Sequence, residues 1–190
     1  MTYNLPNILT LLRIILIPVF VLVYYLPVSW AYAAAAFIFG LAAVTDWLDG
    51  YLARKLNQES AFGAFMDPVA DKLIVVVAIV LLVEAHPQPW LAIPSMIIIS
   101  REVAVSALRE WMAELGKRAA VKVSFVGKLK TSAQLGSILL MIYYAPLFGL
   151  PTFQIGLALY YVAALLTLYS MIIYLRAAWP MLTEKDGHRD

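Results

Sequence analysis

Long apolar runs separated by short polar segments make up most of the chain. Six of the runs are long enough to cross a bilayer, because about 20 mainly apolar residues span its hydrocarbon core as a helix. The pattern predicts six membrane-spanning helices, at about 8–26, 31–53, 67–83, 91–115, 127–144 and 153–175. We place Pro68 in the first turn of the third helix. Residues 1–10 mix polar and apolar types and are predicted to form a short N-terminal segment in the membrane interface.

Composition supports this interpretation. Of the 190 residues, 63% are hydrophobic, whereas soluble domains contain about 45–50%. The chain has no cysteine, which excludes disulfides and thiolate metal ligands. We therefore predict an all-α membrane protein of six transmembrane helices, with a single membrane domain over 1–182 and a charged cytoplasmic tail over 183–190.

Basic residues follow a clear order along the chain. The segments near 26–30, 84–90 and 145–152 contain no lysine or arginine. Most of the basic residues lie near 54–59, near 116–130 and in the C-terminal tail. Loops rich in lysine and arginine stay on the cytoplasmic side of a membrane. Both termini and the basic loops are therefore predicted to be cytoplasmic.

Four aspartates stand in two pairs at the edges of apolar runs: Asp46 with Asp49, and Asp67 with Asp71. The spacings of three and four residues place each pair on one face of a helix. An ionisable group within a membrane span costs on the order of 2.5–3.5 kcal/mol on insertion scales. Four such carboxylates would also repel one another, so they need a cation. Hard oxygen ligands suit Mg²⁺, Mn²⁺ or Ca²⁺.

Other charged residues lie within or beside the predicted spans, and some of them allow two interpretations. Arg54 could bind a phosphate, because its planar guanidinium matches the phosphate oxygens. Alternatively, it could anchor the helix at the cytoplasmic side. Arg13, one turn into the first span, either reaches the headgroups or faces the acidic site or a substrate phosphate. Glu102 and Glu110 are interpreted as ion-pair partners of arginines.

The spacing around the aspartates resembles the signature of the CDP-alcohol phosphotransferase family at every fixed position. The matching pattern is Asp46-x₂-Asp49-Gly50-x₂-Ala53-Arg54-x₈-Gly63-x₃-Asp67-x₃-Asp71. Further stretches resemble the bacterial members that use glycerol 3-phosphate: Pro6-Asn7-Ile-Leu-Thr10-x₂-Arg13, Asp67-Pro-Val-Ala-Asp71-Lys72, Ser100-Arg101-Glu102 and Gly127-Lys128-Leu-Lys130-Thr131.

This resemblance implies an enzyme that transfers the phosphatidyl group of CDP-diacylglycerol to glycerol 3-phosphate, giving phosphatidylglycerophosphate and CMP. It implies two divalent cations, Mg²⁺ or Mn²⁺, held by Asp46, Asp49, Asp67 and Asp71. Asp71 would also be the general base. The expected location is the bacterial inner membrane with the active site on the cytoplasmic side. We expect a homodimer among membrane lipids, with no nucleic-acid partner.

The resemblance also suggests which residues bind the two substrates. For CDP-diacylglycerol they are Gly50, Ala53, Arg54, Ser60, Asn7 and Thr10. Helix capping is the alternative for Asn7 and Thr10, and close helix packing or a turn is the alternative for the small residues, including Gly63. For the acceptor phosphate they are Arg101, Arg109, Lys128 and Lys130. The two lysines could instead only set the topology.

Three other functions are consistent with parts of the pattern. The core signature is shared by enzymes with another acceptor, such as inositol phosphate or serine. Intramembrane acids are also typical of divalent-cation or proton-coupled transporters. The acids lie at one membrane face rather than the midplane, and no inverted repeat is visible, which argues against transport. The last alternative is a scaffold without catalytic activity.

Overall fold

Six α-helices form the protein in a computed structural model that describes residues 5–56, 61–114 and 125–183. These ranges contain no β-strand, only an isolated bridge between Leu147 and Leu150. The helices are α1 (Leu5–Tyr24), α2 (Ala31–Leu56), α3 (Ala61–Ala85), α4 (Pro89–Glu114), α5 (Phe125–Tyr143) and α6 (Thr152–Thr183).

The predicted helix order is confirmed, with differences at some ends. Residues 5–10 are the first turns of α1. Helix α3 begins at Ala61, so the interpretation of Gly63 as a loop turn was wrong, and so was the placement of Pro68 in a first turn. Proline lacks an N–H but is tolerated inside membrane helices, where neighbouring groups satisfy the carbonyl that it leaves unbonded. Helix α6 continues to Thr183, and the rest of the predicted tail lies outside the described residues.

An all-α membrane protein is confirmed by the length and hydropathy of the helices. Three described segments are long and apolar enough to cross a membrane: Asn7–Tyr24, Pro89–Ala113 and Thr152–Arg176. Large apolar side chains stand exposed elsewhere too, including Phe37 on α2 and Val80 on α3. Such surfaces need a lipid or protein covering. The number of six spans stays a prediction.

The described residues divide into two compact units, and the single membrane domain over 1–182 stays a prediction. The first unit contains α1, α2, α3, the part of α5 from Leu135 and the start of α6 to Ala158. Its core includes Phe20, whose ring centroid lies 6.1 Å from that of Phe39 and 6.3 Å from that of Tyr24. The contact between Phe20 and Phe39 packs α1 against α2.

The second unit contains α4, the part of α5 to Gln134 and α6 from Leu159. Pro94 lies inside α4 and has no N–H for the carbonyl of Trp90, four residues earlier. The Tyr161 hydroxyl on α6 donates a hydrogen bond to that carbonyl at 2.6 Å. The proline is therefore compatible with the helix because the neighbouring helix supplies the missing donor.

Close packing of α5 and α6 in the first unit depends on a glycine. A Cβ atom added at Gly156 would lie 2.9 Å from the Ser137 carbonyl oxygen and 2.9 Å from Met141 Cγ. A Cβ added at Gly136, on α5, would meet nothing within 4 Å. Small residues allow membrane helices to approach in this way.

We expect Gly156→Ala to lower the stability of the protein, since backbone atoms of α5 would have to move. Overpacking of this kind costs about 1–3 kcal/mol. A scan of thermal unfolding in detergent should show a midpoint several degrees below wild type, at roughly 2–4 °C per kcal/mol. Gly136→Ala is the matched control and should unfold at the wild-type temperature or slightly above it. Equal midpoints for the two variants would contradict the packing argument.

Candidate active site

A buried arginine joins two of the predicted metal ligands. Arg13 on α1 has only 1% of its side chain exposed. Its Nη1 atom lies 3.3 Å from Oδ1 of Asp46 on α2 and also donates to Oδ1 of Asp71 on α3. Because both carboxylates contact the same nitrogen, they are neighbours across the two helices. Of the two interpretations of Arg13, the one in which it faces the acidic site is confirmed.

The third described aspartate is also held from α1. The Thr10 hydroxyl donates a hydrogen bond to Oδ1 of Asp67. Asn7, Thr10 and Arg13 are all buried. Their three-residue spacing puts them on one face of α1. This helix therefore presents a polar stripe to the carboxylates of α2 and α3.

The chemistry of these donors fits a divalent cation. Carboxylate and hydroxyl oxygens are the ligands of hard cations such as Mg²⁺, and the Asp46 and Asp71 carboxylates already contact one positive group. Among the described side chains, no group of three or more His, Cys, Asp or Glu residues lies close enough to hold one ion. The Asp49 side chain is outside the described set. The metal-ligand assignment stays a prediction.

Several other predicted site residues lie outside the described side chains, and their roles stay predictions. Asp49, Gly50, Ala53 and Arg54 lie on α2, and Lys128 lies on α5, but only their backbone positions are described. Ser60 falls outside the described residues altogether.

A second group of charges lies in the other unit, around Glu102. One oxygen of this carboxylate, Oε2, lies 3.1 Å from Arg101 Nη1 and 3.4 Å from Lys130 Nζ. Arg101 also donates from Nη2 to the Ser170 hydroxyl at 2.9 Å. The interpretation of Glu102 as an ion-pair partner is therefore confirmed. Arg101 and Lys130 are both buried.

Tyr174 on α6 links the two arginines of α4. The Cζ atom of Arg101 lies 5.7 Å from the Tyr174 ring centroid and that of Arg109 lies 5.0 Å from it. Arg109 also donates a hydrogen bond to the tyrosine hydroxyl. The structure thus brings three of the four predicted acceptor residues, Arg101, Arg109 and Lys130, into one group. We call these three residues the basic cluster.

The basic cluster has more positive charge and more hydrogen-bond donors than its described partners satisfy. Arg101 and Lys130 share the one carboxylate of Glu102, while Arg109 contacts Tyr174, so among these described contacts the cluster has two positive charges in excess. The Nε atom of Arg101 is buried and has no hydrogen-bond partner among the described residues. A buried N–H without a partner costs free energy, so an anion that accepts from it would be favoured.

Some residues of these sites escaped the sequence analysis. Ser170 and Tyr174 lie among mainly apolar residues in the second half of α6. Their four-residue spacing places them on one helix face, which was a weak signal of a shared neighbour. For Thr10 the sequence suggested a nucleotide contact or helix capping, and the structure shows a hydrogen bond to Asp67.

Comparison with known proteins gives a consistent result. The CDP-alcohol phosphatidyltransferase family model matches residues 3–175. A protein from Escherichia coli (strain K12) is 55% identical over 181 residues, which cover 94% of this chain and 96% of that protein. Proteins from Shigella flexneri serotype 5b (strain 8401) and Shigella boydii serotype 4 (strain Sb227) are each 53% identical over 178 residues, with the same two coverages.

All three relatives carry the name CDP-diacylglycerol–glycerol-3-phosphate 3-phosphatidyltransferase. The family generally uses divalent cations, which agrees with the donor chemistry around Asp46, Asp67 and Asp71. The family match spans most of the chain and includes both charged groups described above. The resemblance carried by the aspartate signature is therefore confirmed, and the chain belongs to the CDP-alcohol phosphatidyltransferase family.

Proposed function

We propose that the protein transfers the phosphatidyl group of CDP-diacylglycerol to glycerol 3-phosphate and releases CMP. Family membership and the shared name of its relatives support this activity. The structural observation that carries it is the contact of Arg13 with Asp46 and Asp71, which joins carboxylates of α2 and α3 in one site. The product, phosphatidylglycerophosphate, keeps its acyl chains in the bilayer.

The metal site of this proposal consists of Asp46, Asp49, Asp67 and Asp71, with two Mg²⁺ or Mn²⁺ ions. When bound, such ions neutralise charge on the attacked phosphoryl group and on the leaving group. Thr10 fixes Asp67 by its hydrogen bond, and Arg13 fixes Asp71. Carboxylates that are already oriented need less reordering when the substrate arrives.

Asp71 is the proposed general base. It would take the proton of the 1-hydroxyl of glycerol 3-phosphate as that oxygen attacks the β-phosphorus of CDP-diacylglycerol. The new phosphorus–oxygen bond forms while the bond to the CMP oxygen breaks. The base must come within about 2.6–3.2 Å of the hydroxyl for this transfer. Its contact with Arg13 leaves Asp71 38% exposed, so the carboxylate remains accessible to a substrate.

The basic cluster is the proposed site for the phosphate of the acceptor, together with Lys128. Its two positive charges in excess match a phosphate, and the buried Nε of Arg101 offers a donor. Serine has no phosphate for such a group to hold. For the nucleotide of CDP-diacylglycerol we propose Gly50, Ala53, Arg54, Ser60, Asn7 and Thr10. We further propose an inner-membrane homodimer with a cytoplasmic active site.

The activity can be tested with membranes from cells that overproduce the protein. CDP-diacylglycerol and labelled glycerol 3-phosphate should give labelled phosphatidylglycerophosphate, with CMP released in equal amount and only when Mg²⁺ or Mn²⁺ is present. Serine and inositol phosphate are the comparison acceptors. Product from one of these, with none from glycerol 3-phosphate, would refute the proposed acceptor.

The Asp71→Asn variant tests the base in the same assay. It keeps the size of the side chain but cannot accept the proton, and loss of a general base costs about 10²–10⁴-fold in rate. We expect turnover to fall by that amount while the fold and binding of CDP-diacylglycerol are largely retained. Turnover close to wild type would contradict the assignment and would favour a scaffold.

Arg13→Gln should destabilise the protein most when metal is absent. Removing one partner of a buried ion pair costs up to 3–5 kcal/mol, but Asp46 is 44% and Asp71 38% exposed, so we expect about 2 kcal/mol. In EDTA the unfolding temperature should fall by several degrees. Mg²⁺ should raise the unfolding temperature of Arg13→Gln more than that of wild type. Arg13→Lys should be intermediate. A variant that melts like wild type in EDTA would refute the bridging role.

Lys130→Met should weaken binding of the acceptor rather than the chemical step. We expect the KM for glycerol 3-phosphate to rise about tenfold, since a lost charged hydrogen bond is worth about 1.5–3 kcal/mol, with kcat changed much less. The KM for CDP-diacylglycerol should stay the same. Arg176→Gln, at an exposed arginine of α6, is the control. An unchanged KM for glycerol 3-phosphate in Lys130→Met would remove this residue from the site.

A further inference from the structure

A cavity lined by aromatic side chains lies in the first unit, at the end of the helices away from Arg13. Its volume is about 210 Å³, and its lining includes Tyr24, Tyr32, His86, Met141 and Tyr144. Tyr32 precedes Asp46 by fourteen residues on α2, about 21 Å along the helix axis. The cavity is therefore separate from the acidic site. A water molecule takes up about 30 Å³ in the liquid, so the space would hold a group of several heavy atoms.

The rings around the cavity stand at angles to one another. The ring centroids of Tyr24 and Tyr32 are 5.5 Å apart with planes at 73°. Those of Tyr32 and Tyr144 are 6.3 Å apart with planes at 43°, and His86 lies 5.8 Å from Tyr144. Rings stacked in parallel would cover each other's faces. The tilted arrangement instead encloses a space with aromatic walls, as in sites that bind organic cations.

Fixed charge at this end is negative. Between residues 14 and 45, 73 and 87, and 131 and 158, the sequence contains a single Asp, Glu, Lys or Arg residue, Glu84. Glu84 accepts a hydrogen bond from the Tyr25 hydroxyl at 3.1 Å and is adjacent in sequence to Ala85 of the cavity lining. A carboxylate one residue from the cavity lining, with no lysine or arginine in these segments, favours a cation over an anion at the electron-rich ring faces.

The backbone at Tyr144, directly after the last residue of α5, positions one wall of the cavity. This residue has φ of 59°, in the left-handed region that bulky side chains rarely adopt. A left-handed residue commonly ends a helix, and with a bulky side chain such as tyrosine it costs on the order of 1–3 kcal/mol. Here the unusual backbone places the Tyr144 ring against Tyr32, His86 and Phe153. The strain thus coincides with a wall of the cavity.

We propose that this cavity binds an organic ammonium group. The group has two possible sources, the headgroup of a zwitterionic lipid and a small free amine. The tyrosine rings would contact the cation through their faces, and Glu84 would supply the opposite charge. A phosphate is disfavoured because no lysine or arginine occurs in these segments.

Choline and its neutral isostere 3,3-dimethyl-1-butanol give a direct test, with the purified full-length protein in detergent and ligand-observed NMR. We expect saturable binding of choline and at least about tenfold weaker binding of the alcohol, which has the same shape without the charge. Equal affinity for both compounds, or no saturable binding of choline, would overturn the proposal.

Variants distinguish an effect of the ring faces on binding from a general effect on folding. Tyr32→Leu should weaken choline binding about fivefold or more, whereas Tyr32→Phe, which keeps the ring, should stay within about twofold of wild type. Tyr169→Leu, at an exposed tyrosine of α6, is the matched control and should bind like wild type. Glu84→Gln changes only an exposed charge and should weaken binding about threefold or more. This variant decides the question should Tyr32→Leu fail to fold.

Experiments in nanodiscs distinguish the two possible sources of the ammonium group. Phosphatidylethanolamine in the bilayer should compete with choline if the headgroup is the natural occupant, whereas bilayers of phosphatidylglycerol alone should not. If phosphatidylethanolamine does not change the binding of choline, the natural ligand is a small free amine. Wild-type affinity in both Tyr32→Leu and Glu84→Gln would refute the proposed ammonium site.

Discussion

The contact of one guanidinium with two carboxylates determines much of the first unit. Arg13 has 1% of its side chain exposed, so its buried charge is stabilised by the carboxylates of Asp46 and Asp71 beside it. This requirement fixes α1 against two other helices at a defined register. Thr10 extends the same constraint to Asp67, one turn away. The acidic site is therefore held by α1 as much as by the helices that carry its aspartates.

In the second unit a shared charged group again holds two others, but here the shared group is a carboxylate and its partners are basic. There the carboxylate of Glu102 is the shared partner, and Arg101 and Lys130 converge on one of its oxygens. In the first unit, two carboxylates, Asp46 and Asp71, contact one guanidinium, which leaves negative charge. In the second, three basic residues are grouped with one carboxylate, which leaves positive charge. An excess of either sign attracts a ligand of the other, so these two groups suit a metal ion and a phosphate respectively.

The sequence was sufficient for the helices and for the identity of the acidic residues, because both depend on local patterns. Apolar run lengths place the helices to within a few residues, except at the start of α3, where Pro68 was taken as a start signal, and at the end of α6, which continues to Thr183. The partners of the charged groups were harder to predict. Spacing shows that Ser170 and Tyr174 share a face of α6, but not that Arg101 and Arg109 of α4 lie against them. Such contacts depend on how helices pack, which one helix period does not specify.

A membrane protein must also distribute polar groups along its helices. In the first unit, ionic side chains are concentrated near Arg13, while the cavity end has Glu84 as its single formal charge in the segments that reach it. Tyrosine suits that end because its ring is apolar and its hydroxyl can reach water or a polar partner, as Tyr25 reaches Glu84. Recognition there would rely on ring faces, hydroxyl groups and one carboxylate. The two ends of α1, α2 and α3 therefore offer different chemistry, ionic at one end and aromatic at the other.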